Sequence, residues 1–133
     1  MIVVKASEVT PFISPLPHHR ELRVLLSPKV HHTSNLIGMG MVTVKPGESG
    51  NPHVHTVEQE TWFIISGTGK IIVGDEIVEL EPEMVVVAPA GVDHQIKNDG
   101  NQVLKAIFIF TPAGPEEPHV LKTVENAIDE NHQ

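Results

Sequence analysis

Short apolar stretches alternate with turn residues along most of this chain. Val, Ile and Phe dominate the apolar stretches, and eleven Pro and ten Gly are spread through the sequence. Between residues 1 and 110 no apolar repeat of helical period reaches a useful length. The pattern is typical of an all-β sandwich or barrel, and it does not fit alternating strands and helices.

The apolar stretches predict nine strands, most of them ended by Pro, Gly or Asn turns. Gly74-Asp75, for example, predicts a tight hairpin. The predicted strands are Ile2–Val4, Leu22–Leu26, Leu36–Val44, Thr61–Ile65, Lys70–Val73, Ile77–Leu80, Met84–Val87, His94–Lys97 and Val103–Phe110. Beyond them, the spacing of Leu121, Val124 and Ile128 predicts a short C-terminal helix.

Length and composition indicate one ordinary domain. The 133 residues predict a single domain over 1–133, with a barrel core at about 22–110 and a tail at 111–133. The chain has no Cys, and no signal peptide or membrane span is recognisable, so we expect a cytoplasmic protein. A formal charge of −8 with scattered Lys and Arg argues against nucleic acid as a partner.

Candidate chemistry is concentrated around residues 53–60. His53 and His55 are two residues apart, so in an extended chain both imidazoles face the same side. Glu60 has the opposite parity, but the polar residues before it allow a bend that returns it to that side. His94 follows a Pro89-Ala90-Gly91 turn and is placed to complete the set from a second hairpin.

Three imidazoles and one carboxylate form a mixed nitrogen and oxygen ligand set. Such a set suits one divalent transition metal (Mn, Fe, Co, Ni, Cu or Zn) and not Mg or Ca. Four protein ligands around a six-coordinate ion leave two positions open for water, oxygen or a chelating substrate.

The spacing of these residues resembles the two motifs of the cupin superfamily. The first motif is matched by Gly47, His53, His55, Glu60 and Gly67. The second is matched by its Pro, Gly, His and Asn positions, at Pro89, Gly91, His94 and Asn98. One position departs from the pattern, because Glu83 stands where the family usually has a glycine, and this puts the local turn in doubt.

The resemblance implies a small single-domain cupin, which folds as a jelly-roll barrel or double-stranded β-helix. It also implies a two-fold homodimer, and the apolar strand Ile2–Val4 is suited to pair with a second subunit. Cupins include decarboxylases, dioxygenases, isomerases, epimerases, storage proteins and sensor domains, so the resemblance does not define the reaction.

Several other side chains are weaker candidates. Glu58 and Gln59 are rival donors to Glu60, whereas Trp62 lies two residues beyond Glu60 and is expected to form a wall of the same pocket. Otherwise the barrel interior is expected to be apolar apart from the four ligands. The remaining candidates are expected at the surface: the pairs His18-His19 and His31-His32, and the cations Arg23 and Lys105.

Two functions are open from sequence. The first is a metalloenzyme for a small polar metabolite (a carboxylate, keto acid or sugar derivative) that chelates the metal. The second is a non-catalytic binding or storage barrel, in which the metal anchors a ligand or stiffens the fold. The complete ligand set favours the enzyme, but no general acid or base is identifiable. A sensor half of a regulator is disfavoured because no DNA-binding segment is recognisable.

Overall fold

The computed structural model describes residues 1–120, which fold into two antiparallel β-sheets. The larger sheet has six strands in the order β1-β2-β3-β9-β4-β7, and the smaller has the order β6-β5-β8. The strands are β1 Phe12–Ile13, β2 Glu21–Leu26, β3 Gly38–Val44, β4 Gln59–Ser66, β5 Gly69–Val73, β6 Glu76–Leu80, β7 Val85–Ala88, β8 His94–Lys97 and β9 Leu104–Thr111. The predicted all-β jelly-roll barrel is confirmed.

Alternation along the strands builds the core. In β3 and β9 every second residue is buried, and the buried faces of the two strands lie side by side through the pairs Val42↔Ala106 and Val44↔Leu104. The buried apolar residues are Leu22, Val42, Val44, Trp62, Ile64, Ile71, Leu80, Ala88, Ile96, Leu104, Ala106, Phe108 and Phe110. Phe108 and Phe110, in β9, belong to this core.

The N-terminal segment differs from the prediction. Ile2–Val4 forms no strand and is followed by a single 3-10 turn at Ala6–Glu8, while the first strand is the short β1. High β-propensity did not suffice, because a strand also needs a neighbour to pair with. A single helical turn, α1 at Pro28–His31, was also not predicted. At the other end residues 117–120 are helical, whereas Leu121, Val124 and Ile128 lie outside the described residues.

The turn at Glu83 forms without the family's usual glycine. Glu83 takes a φ of 70°, in the left-handed region that favours glycine, and its N–H donates to the carbonyl of Ile64 at 2.8 Å. The backbone hydrogen bond thus holds the turn between β6 and β7, and Glu83 keeps a backbone conformation that is unfavourable for a residue other than glycine.

We expect Glu83→Gly to raise the free energy of unfolding by up to about 1 kcal/mol. The left-handed conformation costs a non-glycine residue about 1–2 kcal/mol, and the greater freedom of unfolded glycine cancels part of the gain. Chemical denaturation measures the change, with Glu81→Gly as a control at an exposed position outside the residues with positive φ. If Glu83→Gly lowered the free energy of unfolding as much as Glu81→Gly does, this account would be contradicted.

Candidate metal centre

Four predicted side chains meet on the inner wall of the barrel. His53 and His94 are directly opposite each other in an isolated β-bridge, with N–H to O=C hydrogen bonds of 3.1 and 2.9 Å. The chain then bends at residues 56–57, which brings Glu60 into β4 with its side chain buried. His55 is fixed between them because its carbonyl accepts the N–H of Gly91 at 2.8 Å.

The distances between the four donor atoms fit one bound ion. All four lie within 4.8 Å of one another. Oε1 of Glu60 is 3.0 Å from Nε2 of His94, 3.4 Å from that of His55 and 3.9 Å from that of His53. Donors about 2.1 Å from a metal and at right angles to each other are about 3.0 Å apart, and opposite ones about 4.2 Å. The three separations from Glu60 lie within this range.

Hydrogen bonding orients two of the rings toward the common centre. Nδ1 of His53 donates to the carbonyl of Asn51 at 2.7 Å, and Nδ1 of His94 lies 3.2 Å from the carbonyl of Val92. With the proton on Nδ1, each neutral imidazole points an Nε2 lone pair inward. This is the tautomer that a metal-binding histidine needs.

Without a cation the centre has poor internal hydrogen bonding. Nε2 of His94 lies 3.0 Å from Glu60 Oε1 and 3.1 Å from Nε2 of His53, so a single proton cannot serve all these contacts. Nε2 of His55 is buried and has no hydrogen-bond partner among residues 1–120. A cation shared by the four donors satisfies every one of them, so the residues present fit a metal.

Electrostatics at the centre favour a charged carboxylate. Burial alone would raise the pKa of Glu60, but its interactions with His55 and His94 outweigh burial and lower the pKa. Burial likewise opposes a charge on His94, yet Glu60 raises the pKa of this imidazole. For His53 burial prevails and lowers the pKa. Glu60 is therefore the negative group around which the imidazoles gather.

The four side chains open onto a cavity of about 270 Å³. Its apolar wall includes Trp62, whose ring lies with its centroid 5.3 Å from that of His94, and Phe108. The cavity lining outside the four clustered residues is not wholly apolar, so the sequence-based expectation of an apolar interior was wrong. Arg20, Asn51 and His119 also line it. These residues lie in loops and a terminal segment, where no hydrophobic period indicates which way a side chain points.

The other candidate residues lie outside this cluster. Glu58 and Gln59 do not belong to it, and within residues 1–120 no second group of metal-binding side chains comes together. His19 pairs with Glu48 at 2.8 Å, and His32 is exposed. Arg23 forms an ion pair with Glu21 at 3.0 Å.

Comparison with known proteins establishes the family. The family model described as a cupin domain matches residues 40–110, more than half of the chain and including all four clustered residues. The chain therefore belongs to the cupin family, and the resemblance stated from its motifs is confirmed. Within the described residues no helix is long and apolar enough to cross a membrane.

Individual relatives are diverse. The chain is 32% identical over 106 residues to the tetracenomycin polyketide synthase protein TcmJ of Streptomyces glaucescens, a match that covers 77% of this chain and 70% of that protein. It is 36% identical over 68 residues to the xanthan biosynthesis protein XanB of Xanthomonas campestris, which covers 51% of this chain but only 15% of XanB. The chain thus corresponds to a small part of XanB.

Solved structures repeat the same fold. A predicted oxalate decarboxylase from Thermotoga maritima superposes with a TM-score of 0.75 at 26% identity, covering 84% of this chain and 100% of that one. The polyketide cyclase RemF from Streptomyces resistomycificus superposes with a TM-score of 0.73 at 18% identity, covering 86% and 82% of the two chains. Because the chain is only 18% identical to RemF, this second similarity concerns the fold alone.

Proposed function

We propose that this protein is a metalloenzyme that holds one divalent transition metal through His53, His55, Glu60 and His94. Its substrate is a small polar metabolite (a carboxylate, keto acid or sugar derivative) that chelates the metal from the cavity. The observation that carries this proposal is the convergence of four donor atoms, within 4.8 Å of one another, on the wall of a cavity.

Cavity size supports a small substrate. Pockets for drug-sized ligands enclose about 300–1,000 Å³, and this cavity of about 270 Å³ is below that range. The donor set leaves coordination positions for a chelating ligand on the cavity side. The name of the Thermotoga maritima protein, a predicted oxalate decarboxylase, supports the carboxylate class.

Each protein group has a definite task in this proposal. A bound divalent metal would supply Lewis-acid stabilisation of negative charge on a chelated oxygen. His53 and His94 are held in the required tautomer by backbone carbonyls, and Glu60 supplies the negative charge that retains a cation. Trp62 and Phe108 form an apolar wall that excludes water from one side of the ligand.

A non-catalytic binding or storage barrel is the second candidate. One observation favours it: apart from the four clustered residues, His119 is the only imidazole among the described residues that line the cavity, and no carboxylate joins it. Proton donors for catalysis are therefore scarce.

Turnover assays separate the two candidates. The purified protein is loaded in turn with Mn, Fe, Co, Ni, Cu and Zn and assayed against oxalate, simple keto acids, uronic acids and flavonols. Metal-dependent turnover of one acid or sugar derivative, abolished in His94→Ala, is the expected result. Tight metal-dependent binding without turnover would favour the storage function, and no metal binding at all would contradict both.

We also propose that the protein is a homodimer, as predicted from the sequence, but with a different contact surface. Ile2–Val4 forms no strand, whereas β4 and β7 present adjacent exposed apolar side chains: Phe63, Ile65, Val85 and Val87. This uncharged patch is where two copies of a chain with a formal charge of −8 can approach. The predicted cytoplasmic location and the single domain over 1–133 remain predictions.

We expect Phe63→Glu to yield a monomer, because it places a charge in the centre of this contact surface. Light scattering coupled to size-exclusion chromatography measures the mass. Ile77→Glu, at an exposed apolar position on the smaller sheet, is the control and should stay dimeric. A wild-type monomer, or dissociation by Ile77→Glu alone, would contradict the proposed surface.

A further inference from the structure

Arg20 is a cation fixed on the wall of the cavity. Its backbone N–H donates to Oγ of the buried Ser14 at 2.9 Å, and its carbonyl accepts the N–H of Ser14 at 3.0 Å. Nη1 of the guanidinium donates to the same Oγ at 3.2 Å. Gly50 leaves room for the side chain, because a Cβ there would lie 3.1 Å from Nε of Arg20. The hydrogen bonds to Ser14 and the space beside Gly50 thus fix the position of Arg20.

The guanidinium has no anionic partner among residues 1–120. Arg23 and Lys70 pair with acidic residues, but Arg20 forms no ion pair there. Its hydrogen bonds reach neutral oxygens, those of Ser14 and, at 3.5 Å, of Asn51. Burial lowers the pKa of Arg20, and the charge of Glu60 only partly opposes this effect. A half-buried cation without an ion partner among these residues is costly, and together with its fixed position on the cavity wall it indicates a site for an anion.

Charge in the cavity indicates which anion. A divalent metal and Arg20 together carry three positive charges, against one negative charge on Glu60 when the imidazoles are neutral. A ligand with two negative charges would neutralise the cavity, one charge at the metal and one at Arg20. The planar N–H fork of a guanidinium matches the two oxygens of a carboxylate.

We propose that Arg20 binds the second carboxylate of a dicarboxylate substrate whose first carboxylate end chelates the metal. This inference rests on the proposed function and narrows its substrate class to small organic diacids, including keto and hydroxy diacids. Arg20 is then the residue that selects diacids over monoacids, and the metal holds the end at which chemistry occurs.

Three matched ligands test the selection. Lactate, malate and 3-phosphoglycerate are all 2-hydroxycarboxylates able to chelate a metal, and they carry a methyl group, a carboxylate or a phosphate at the far end. 2-Hydroxyglutarate, one carbon longer than malate, covers a different reach. Isothermal titration calorimetry on the full chain gives the dissociation constants, and elemental analysis gives the metal content of the same samples.

We expect the wild type to bind malate or 2-hydroxyglutarate about 10- to 100-fold more tightly than lactate, as a charge-assisted ion pair allows. Arg20→Gln should abolish this preference, while the protein keeps the backbone hydrogen bonds to Ser14, its metal content and its affinity for lactate. Arg20→Lys should keep part of the preference. Arg23→Gln, which removes a cation in β2 that is paired with Glu21 and lies outside the cavity lining, should show the diacid preference of the wild type.

Other outcomes distinguish failure of the Arg20 assignment from failure of the proposed metal-dependent function. An unchanged diacid preference in Arg20→Gln, or a preference for 3-phosphoglycerate alone, would overturn the assignment of Arg20 to a carboxylate. A wild-type protein that holds no metal but loses diacid binding in Arg20→Gln would support Arg20 and contradict the proposed metal-dependent function. Absence of diacid binding from the metal-loaded wild type would overturn the inference alone.

Discussion

Replacement of His94 by Ala should weaken metal binding by at least about 100-fold, because even residues that only orient a ligand cost about 10- to 100-fold when lost. His94 is buried and in contact with both Glu60 and His53, so its loss leaves three donors and removes the imidazole that lies 3.0 Å from the carboxylate. Competition with a coloured chelator for Co²⁺ or Zn²⁺ measures the dissociation constants of the wild type and the variant.

The control for this result is an exposed histidine outside the four-residue cluster. His32 is exposed and has a φ of 54°, a conformation that Asn also tolerates, so His32→Asn should bind metal as the wild type does. The barrel should stay folded in both variants, since its core is built from apolar side chains of both sheets. Equal metal affinity in His94→Ala and the wild type would show that the four residues are not the ligands.

Replacement of Gly67 by Ala should lower the free energy of unfolding by at least about 3 kcal/mol. Gly67 connects β4 to β5 with a φ of 86°, and a Cβ at this position would overlap the carbonyl oxygen of Val103. The two backbone segments would have to separate at the point where the larger sheet meets the smaller one. Thermal and urea unfolding measure the loss.

Two other motif glycines provide matched controls. Gly47 and Gly91 also have positive φ, of 83° and 81°, but nothing lies within 4 Å of a Cβ built at either one. Gly47→Ala and Gly91→Ala should therefore cost only the conformational term of about 1–2 kcal/mol. Similar losses in all three variants would refute the claim that close backbone approach, and not φ alone, requires glycine at 67.

Sequence alone predicted those features that depend on the alternation of side chains along a strand and on turn residues. The two-residue spacing of His53 and His55 predicted that these two side chains face the same side, and the match to the cupin motif favoured Glu60 over Glu58 and Gln59 as the carboxylate beside them. The strand pattern between β2 and β9 was recovered because each strand buries one face and ends at a turn. These features are encoded within a few residues of each position.

Other features were missed because distant contacts decide them. Arg20 lies in a loop, and its direction is set by hydrogen bonds to Ser14 and by the space beside Gly50, thirty positions further along the chain. Ile2–Val4 has the composition of a strand, but in the structure these residues belong to none. Neither feature follows from hydrophobic period, since both depend on which segments become neighbours in the folded barrel.

The most direct test of the metal centre is the anomalous X-ray signal of a metal in crystals of the wild-type protein. We predict one anomalous peak in each chain, about 2.0–2.3 Å from Nε2 of His53, His55 and His94 and from a carboxylate oxygen of Glu60. Crystals grown with excess metal that show no peak among these four side chains, or a peak bound elsewhere, would contradict the account.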